Sequence, residues 1–383
     1  MTTDPTSRPT SQRPAHRPIT LGDLTSDLLW PGLLRAPAMA LRPDRLGIAL
    51  FTLVLLAALA KVPALWLDAS DAGLSALLSP TPAADNTALA PYLVGLIRHA
   101  VLELPATLLH TYPWTTLWFV LAGALALGLG GLALARQSAL EFSLRVISPW
   151  TRGVGFALSR LGSALVGLLV PPALVALGAL FLAAAGWALL SLQYANVLGA
   201  ILYGLGLLGG LLAVVLAVLY LFSLPMILPA IACESTDGLD ALQRAFAYTL
   251  ARPARLVLYA GILLLQGAIV VTLAHTVASL AVEFTTAAAG AWTTLPSTTG
   301  PKAGSGTNNL AAHILSFWND LPTLLAAAFA LSYAFSASTI LYLLMRRLCD
   351  GQEVSDLWMP TMIPGTHAPT NAADIASPTD GTP

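Results

Sequence analysis

The chain has 383 residues, of which 56% are hydrophobic and only 10% are charged, with a formal net charge of −1. Soluble domains carry about 25% charged residues, so this chain cannot cover a water-facing surface, and its mean hydropathy of +0.76 indicates a membrane protein. The near-zero net charge argues against a nucleic-acid partner, and two cysteines are too few for a disulfide framework.

Six apolar stretches are long enough to cross a bilayer, whose hydrocarbon core of about 30 Å needs roughly 20 helical residues. We therefore predict an all-α fold, a polytopic transmembrane bundle of six spanning helices with interfacial amphipathic helices. The predicted spans are residues 46–67, 115–135, 164–190, 197–224, 256–282 and 321–345.

One membrane domain, residues 21–358, contains all six spans. The polar tails, residues 1–20 and 359–383, are predicted to be disordered, and residues 296–309 to form a flexible loop. Residues 1–20 contain no apolar core, so the sequence predicts no cleavable signal peptide.

The positive charges are distributed unevenly between the two ends of the predicted spans. Fifteen of the 18 Lys and Arg residues precede span 1, follow span 6, or lie between spans 2 and 3 or spans 4 and 5. Cytoplasmic loops carry an excess of Lys and Arg. The distribution therefore predicts a multi-pass protein of the cell inner membrane with both the N- and the C-terminus in the cytoplasm.

Two connections have an amphipathic pattern typical of helices that lie on a membrane surface. Residues 91–109 predict such a helix on the outer side. Residues 140–161 predict another on the inner side, which Pro149 breaks midway because proline interrupts the helical hydrogen-bond pattern.

A short motif occurs twice, directly before span 1 and directly before span 5. It reads Arg42-Pro43-Asp44-Arg45-Leu46 and Arg252-Pro253-Ala254-Arg255-Leu256, and a looser version at residues 156–161 precedes span 3. Proline suits the first turn of a helix, so it marks where each span begins. The four arginines are expected at the level of the lipid phosphates, as candidate interfacial or partner-docking residues.

The segment after span 4 has the most local information. Its two prolines predict a kink or the end of the span, and Asp237 or Thr236 is expected to cap a new helix. Asp240 and Arg244 are spaced as an i, i+4 ion pair, and Glu234 is interpreted as a solvated charge at the interface. Glu234, Asp237, Asp240 and Arg244 complete the set of candidate docking residues.

Three runs of sequence carry a resemblance to a known family. They are Pro229 to Ala245 followed by Tyr248 and Arg252-Pro253, Ala135 to Phe142, and Ile340 to Arg347 followed by Asp350-Gly351. Over residues 30–358 the chain resembles a large set of uncharacterised bacterial polytopic membrane proteins. It is similar, more distantly, to the membrane domain fused to some glycerophosphodiester phosphodiesterases. The resemblance implies a membrane domain without an established activity, and the soluble catalytic domain of those enzymes is not part of this sequence.

The sequence predicts no catalytic residues, no cofactor and no metal site. Ionisable groups inside a bilayer are usually functional, but the predicted spans contain only Lys61, near one edge, with Gln266 and His275 as candidate intramembrane polar residues. The leading hypothesis is a non-enzymatic scaffold, assembly factor or envelope-associated subunit. Its predicted partners are the lipid bilayer and a protein at the cytoplasmic face, with a homo-oligomer left open. The alternative is a transporter or lipid-handling protein that uses the uncharged polar residues of spans 5 and 6.

Small residues predict which helices pack closely. Spans 2 and 4 carry Ala126-x-x-x-Gly130 and Gly206-x-x-x-Gly210, a spacing that allows two helix backbones to approach each other. The sequence therefore predicts that spans 2 and 4 form the centre of the bundle.

Overall fold

The computed structural model describes residues 30–65, 111–191, 196–291 and 307–358. Within these ranges the chain forms nine α-helices and two short 3-10 helices, Trp30–Arg35 and Val62–Leu65, and no strand. The nine helices are α1 Ala36–Ala40, α2 Pro43–Lys61, α3 Pro113–Leu144, α4 Trp150–Ser159, α5 Leu161–Leu190, α6 Asn196–Glu234, α7 Gly238–Ala251, α8 Pro253–Gly290 and α9 Thr307–Asp350.

Six of these helices, α2, α3, α5, α6, α8 and α9, are long and apolar enough to cross a membrane. The predicted all-α bundle of six spans is therefore confirmed. The predicted helix on residues 91–109 and both predicted tails lie outside the described residues. The loop predicted at residues 296–309 is wrong for its last three residues, because α9 already begins at Thr307.

Several helices are longer than the bilayer requires. Helix α6 has 39 residues, or about 58 Å at 1.5 Å per residue, nearly twice the hydrocarbon thickness. It continues through Pro225 and Pro229 to Glu234. Of the two alternatives predicted for these prolines, a kink or the end of the span, the end is therefore wrong. The residues from Met226 to Cys233 are buried among neighbouring helices, and this packing offsets the two missing N–H donors.

The chain repeats one arrangement three times: a short helix followed by two spanning helices. The three units are α1–α2–α3, α4–α5–α6 and α7–α8–α9. Pro43 and Pro253 stand in the first turns of α2 and α8, and Arg160 caps α5. The prediction that the proline of the motif marks the start of a span is thus confirmed at both copies, and a short helix precedes the span at all three positions.

The units pack in cyclic order. The second spanning helices, α3, α6 and α9, contact one another and form the centre of the bundle. Each short helix lies against the second spanning helix of the preceding unit: α4 against α3, α7 against α6 and α1 against α9. The first spanning helices α2 and α5 also pack against the second spanning helix of the preceding unit, α9 and α3 respectively. The described residues of α8 make no comparable contact with α6, so the packing between units is not continuous there.

The prediction that small residues allow neighbouring helices to approach closely is confirmed for α3 and wrong for α6. A Cβ atom at Gly130 would overlap Thr52 of α2. By contrast, a Cβ at Gly210 would meet no atom within 4 Å, and one at Gly206 only a terminal carbon of Leu182. The centre of the bundle instead contains the other half of α6, together with α3 and α9.

The buried residues concentrate at one end of the bundle, where α3, α6 and α9 end and α2, α5 and α8 begin. We call this the charged end, because Arg45, Arg136, Glu141, Glu234 and Arg346 lie there. Toward the opposite end large apolar side chains are exposed, as Phe181 and Ile201 illustrate at 71% and 73%. An apolar exposed surface of this extent requires contact with lipid.

Candidate functional site

Glu234, the last residue of α6, is the central residue of the site at the charged end. Its side chain is only 11% exposed and forms an ion pair with Arg244 of α7. The other carboxylate oxygen accepts a hydrogen bond from the hydroxyl of Tyr342 in α9 and lies 3.8 Å from Nη1 of Arg346. The expectation that Glu234 is a solvated charge is therefore wrong, because one carboxylate joins three helices.

A tight turn between α6 and α7 brings Arg244 over Glu234. Ser235 has a φ of 54°, a left-handed conformation that ends α6, and α7 begins three residues later at Gly238. A Cβ at Gly238 would overlap the carbonyl oxygen of Ser163 and lie 2.8 Å from the amide nitrogen of Gly167. Glycine at this position therefore allows α7 to pack directly on the backbone of α5.

Tyr248 extends the cluster from α7 to the end of α9. Its hydroxyl donates a hydrogen bond to Asp350, and its ring centroid lies 5.9 Å from that of Tyr342. Burial, the bond to Asp350 and the nearby carboxylates raise the pKa of Tyr248 above its usual value. Burial lowers the pKa of Arg244, but attraction by Glu234 and the neighbouring Tyr and Asp oxygens outweighs this and raises it. At neutral pH the tyrosine is therefore neutral and the arginine charged.

Two buried arginines hold the segment that follows α9. Nη2 of Arg346 donates to the carbonyl oxygens of Glu353 and Asp356, at 3.0 and 2.6 Å. Arg136 of α3 donates to the carbonyl oxygens of Ala232 and Trp358, both at 2.7 Å. Residues 351–358, which we call the C-terminal segment, are thus fixed against the ends of α3 and α6.

A second cluster joins the start of α2 to the end of α3. Nη2 of Arg45 lies 2.6 Å from Oε2 of Glu141, and Nε of Arg42 lies 2.8 Å from Oε1 of the same carboxylate. Arg45 is fully buried and also donates to the carbonyl oxygens of Met39 and Gln137. Arg42 and Arg45, the two arginines of the first copy of the motif, therefore share the carboxylate of Glu141. Glu141 was not among the predicted candidate residues.

The remaining candidate residues lie apart from both clusters. Asp237 caps α7 by position but without a side-chain hydrogen bond, is 83% exposed, and lies 3.9 Å from Arg160. Asp240 is exposed, and its expected pair with Arg244 is wrong, since Arg244 turns to Glu234 instead. Arg252 and Arg255 are also exposed, so the repeated motif does not place its arginines in equivalent surroundings.

The two candidate intramembrane residues of α8 do not act together. The hydroxyl of Tyr333 in α9 bonds both the carbonyl oxygen of Leu263, at 2.6 Å, and Oε1 of Gln266, at 3.2 Å. His275 lies nine residues further along α8 with its side chain exposed. Gln266 therefore takes part in the contact between α8 and α9, and His275 faces away from it.

The candidate residues did not include seven residues of this site: Arg136, Gln137, Glu141, Tyr248, Tyr342, Arg346 and Asp350. All seven are among the residues that carry the family resemblance. The sequence signal that could have found them is a polar side chain near the end of an otherwise apolar helix. In the described ranges, His, Cys, Asp and Glu side chains form no group of three or more that could hold a metal ion.

Comparison of the chain with protein-family models, with curated proteins and with solved structures finds no match. The resemblance to the bacterial membrane proteins therefore stays a prediction.

Proposed function

We propose that this integral membrane protein is a non-enzymatic scaffold that presents helix α7 to a protein partner at the charged end. The observation that carries the proposal is the buried carboxylate of Glu234, which ties α7 to α6 and α9. Ion pairs with a buried partner hold their geometry better than exposed ones, so α7 has a fixed orientation.

The outward face of α7 supports a docking role. Asp240, Gln243 and Leu250 are exposed at helical spacing, while Leu242, Ala245 and Tyr248 are buried on the opposite face. The exposed face therefore offers both polar and apolar groups. We further propose that the charged end faces the cytoplasm across the cell inner membrane, which rests on the asymmetric distribution of Lys and Arg.

The transporter alternative has less support. It uses the uncharged polar residues of spans 5 and 6, with Gln266 and His275 as the candidates from span 5. Gln266 is hydrogen-bonded to Tyr333, and His275 lies away from it on α8. A route for solutes requires polar groups that line one continuous path, and these two residues do not supply it.

A photo-crosslinking experiment in native membranes tests the scaffold proposal. A photoreactive residue is placed at Asp240 or Gln243 on α7 and, as a control, at Thr285, which is exposed toward the far end of α8. We expect a discrete protein adduct from the α7 positions only, and its loss when Glu234→Gln releases the helix. Identical products from all three positions, or products that Glu234→Gln leaves unchanged, contradict the proposal.

A further inference from the structure

A polar pocket opens between the start of α2 and the end of α3, next to the second charged cluster. It contains about 210 Å³ of empty space, part of it continuous with the surroundings. Its polar lining residues are Arg42, Asp44, Arg45, Gln137, Glu141 and Ser148. The enclosed part has about the size of one water molecule, so it admits a single polar group while the rest of a ligand stays at the mouth.

The side chain of Gln137 has no hydrogen-bond partner in this pocket. The residue is only 3% exposed, yet neither its amide oxygen nor its amide nitrogen is bonded to the protein. A buried polar group without a partner costs about 1–3 kcal/mol. The amide NH2 group and the amide oxygen of Gln137 thus remain available to a ligand.

Positive charge predominates around the pocket. Glu141 engages Nε of Arg42, whose side chain stays 37% exposed. Burial and the positive charge of Arg145, partly opposed by Glu141, lower the pKa of Arg35. Arg42 and Arg45 balance the two carboxylates that line the pocket, Asp44 and Glu141. Arg35 and Arg145, which do not line it, add two positive charges close to Glu141, so the surroundings as a whole favour an anion.

An apolar rim lies beside the polar pocket. Val146, Ile147 and Trp150 are 51%, 59% and 55% exposed and lie within five residues after Arg145. Ile147 also lines the pocket. Tryptophan next to exposed aliphatic side chains is typical of the membrane interface. The ligand that matches both surfaces has a charged group and an acyl chain, which a free anion lacks.

We propose that this pocket binds the head group of an anionic glycerophospholipid, of the phosphatidylglycerol class, from the leaflet at the charged end. At the mouth of the pocket the phosphate accepts a hydrogen bond from Arg42, and one glycerol hydroxyl donates to the carboxylate of Asp44. The other glycerol hydroxyl enters the enclosed part, where it accepts a hydrogen bond from an amide N–H of Gln137 and donates one to the amide oxygen. Both orphaned atoms of Gln137 are then satisfied. The proposal is independent of partner docking at α7.

Native mass spectrometry of the full-length protein, titrated separately with phosphatidylglycerol, phosphatidylethanolamine and inorganic phosphate, tests the site. We expect phosphatidylglycerol to bind at least about tenfold more tightly than phosphatidylethanolamine, because the surplus of arginine favours a net negative head group. Inorganic phosphate at the same concentrations is expected neither to bind nor to compete. Equal binding of the two lipids, or competition by inorganic phosphate alone, overturns the proposal.

Gln137→Leu is the decisive variant, with exposed Gln243→Leu as its matched control. Because the amide of Gln137 has no partner in the protein, its loss should leave the thermal stability of lipid-free protein unchanged or raised. Phosphatidylglycerol binding should fall about tenfold, as expected when two buried hydrogen bonds are lost. Unchanged binding shows that water alone satisfies the amide and overturns the proposal. If Gln137→Leu does not fold, Ser148→Ala at the pocket mouth provides the test, with an expected loss of about threefold and the same overturning outcome.

Discussion

The carboxylate of Glu234 shows how a single side chain can connect several helices at the edge of a membrane. Two arginines and one tyrosine hydroxyl surround it, each from a helix other than its own. A carboxylate removed from water needs such partners, because the cost of desolvating an unpaired charge amounts to several kcal/mol. The cluster is therefore stable only as a whole.

Glu234→Gln should destabilise the protein by about 3–5 kcal/mol, since it leaves Arg346 buried without its counter-charge. The matched control is Asp240→Asn, an exposed carboxylate six residues away in the same segment. Substitutions at exposed positions usually change the free energy of unfolding by no more than about 0.5 kcal/mol. Thermal unfolding of the purified protein in detergent, followed by size-exclusion fluorescence, provides the measurement, and equal melting temperatures for the two variants would contradict the structure.

Sequence rules for ion pairs could not find this cluster. The i, i+4 rule selects Asp240 as the partner of Arg244, and the spacing is correct for a helix. The rule describes an isolated helix, whereas here a left-handed Ser235 turns α7 back over the end of α6. The buried acid of the preceding helix then lies closer to Arg244 than the exposed acid of its own.

At the scale of elements, α3 depends on direct backbone contact with α2. Gly130→Ala would place a Cβ against Thr52, which is itself buried and hydrogen-bonded to the carbonyl oxygen of Ile48. Overpacking of this kind costs about 1–3 kcal/mol. Gly123→Ala in the same helix meets no atom within 4 Å and should stabilise by up to about 1 kcal/mol through helix propensity. A lower melting temperature for Gly123→Ala than for Gly130→Ala would show that α2 and α3 do not pack in this way.

Arg136 should control the attachment of the C-terminal segment. Its guanidinium bonds two carbonyl oxygens and lies 4.8 Å from the ring centroid of Phe156. Lysine carries a point charge and cannot do both at once. Arg136→Lys should therefore increase the rate of proteolytic cleavage within residues 351–358 about tenfold, equivalent to about 1.4 kcal/mol of local stability, while exposed Arg255→Lys should not. Equal cleavage rates in limited proteolysis would contradict this role.

The sequence predicted which elements exist better than where they end. Apolar runs locate all six spans, and Pro43 and Pro253 mark the first turns of α2 and α8. The ends of α3 and α6 were placed about ten residues too early, at 135 and 224, because charges and prolines appear there. Burial against other helices allows both helices to continue past them, and such tertiary packing is not visible in local composition.

At the scale of the whole molecule, the cyclic order of three units explains why the buried charges gather at one end. Each second spanning helix ends where the next unit's short helix packs against it. Arg136, Glu234 and Arg346 lie near the ends of α3, α6 and α9, so the cyclic packing brings them together at the centre. Four matching residues in a five-residue motif gave a hint of this repetition. They could not reveal the cyclic order, because that order is set by contacts between units that are distant in sequence.

The orientation of this assembly in the membrane is the last expectation. Arg160 lies 3.9 Å from Asp237, and Arg346 lies 3.8 Å from Glu234, so positions 160, 237 and 351 must all lie on one side of the membrane. The excess of Lys and Arg predicts that this side is the cytoplasm. Reporter fusions after Arg160, Asp237 and Gly351 should therefore show cytoplasmic activity, and fusions after Gly73, Gln193 and Gly304 external activity. If all six fusions showed the opposite location, only the predicted orientation would be overturned, since consecutive spans would still cross the membrane in alternate directions. A mixed pattern among positions 160, 237 and 351 would overturn the fold itself, because these ion pairs could then not form.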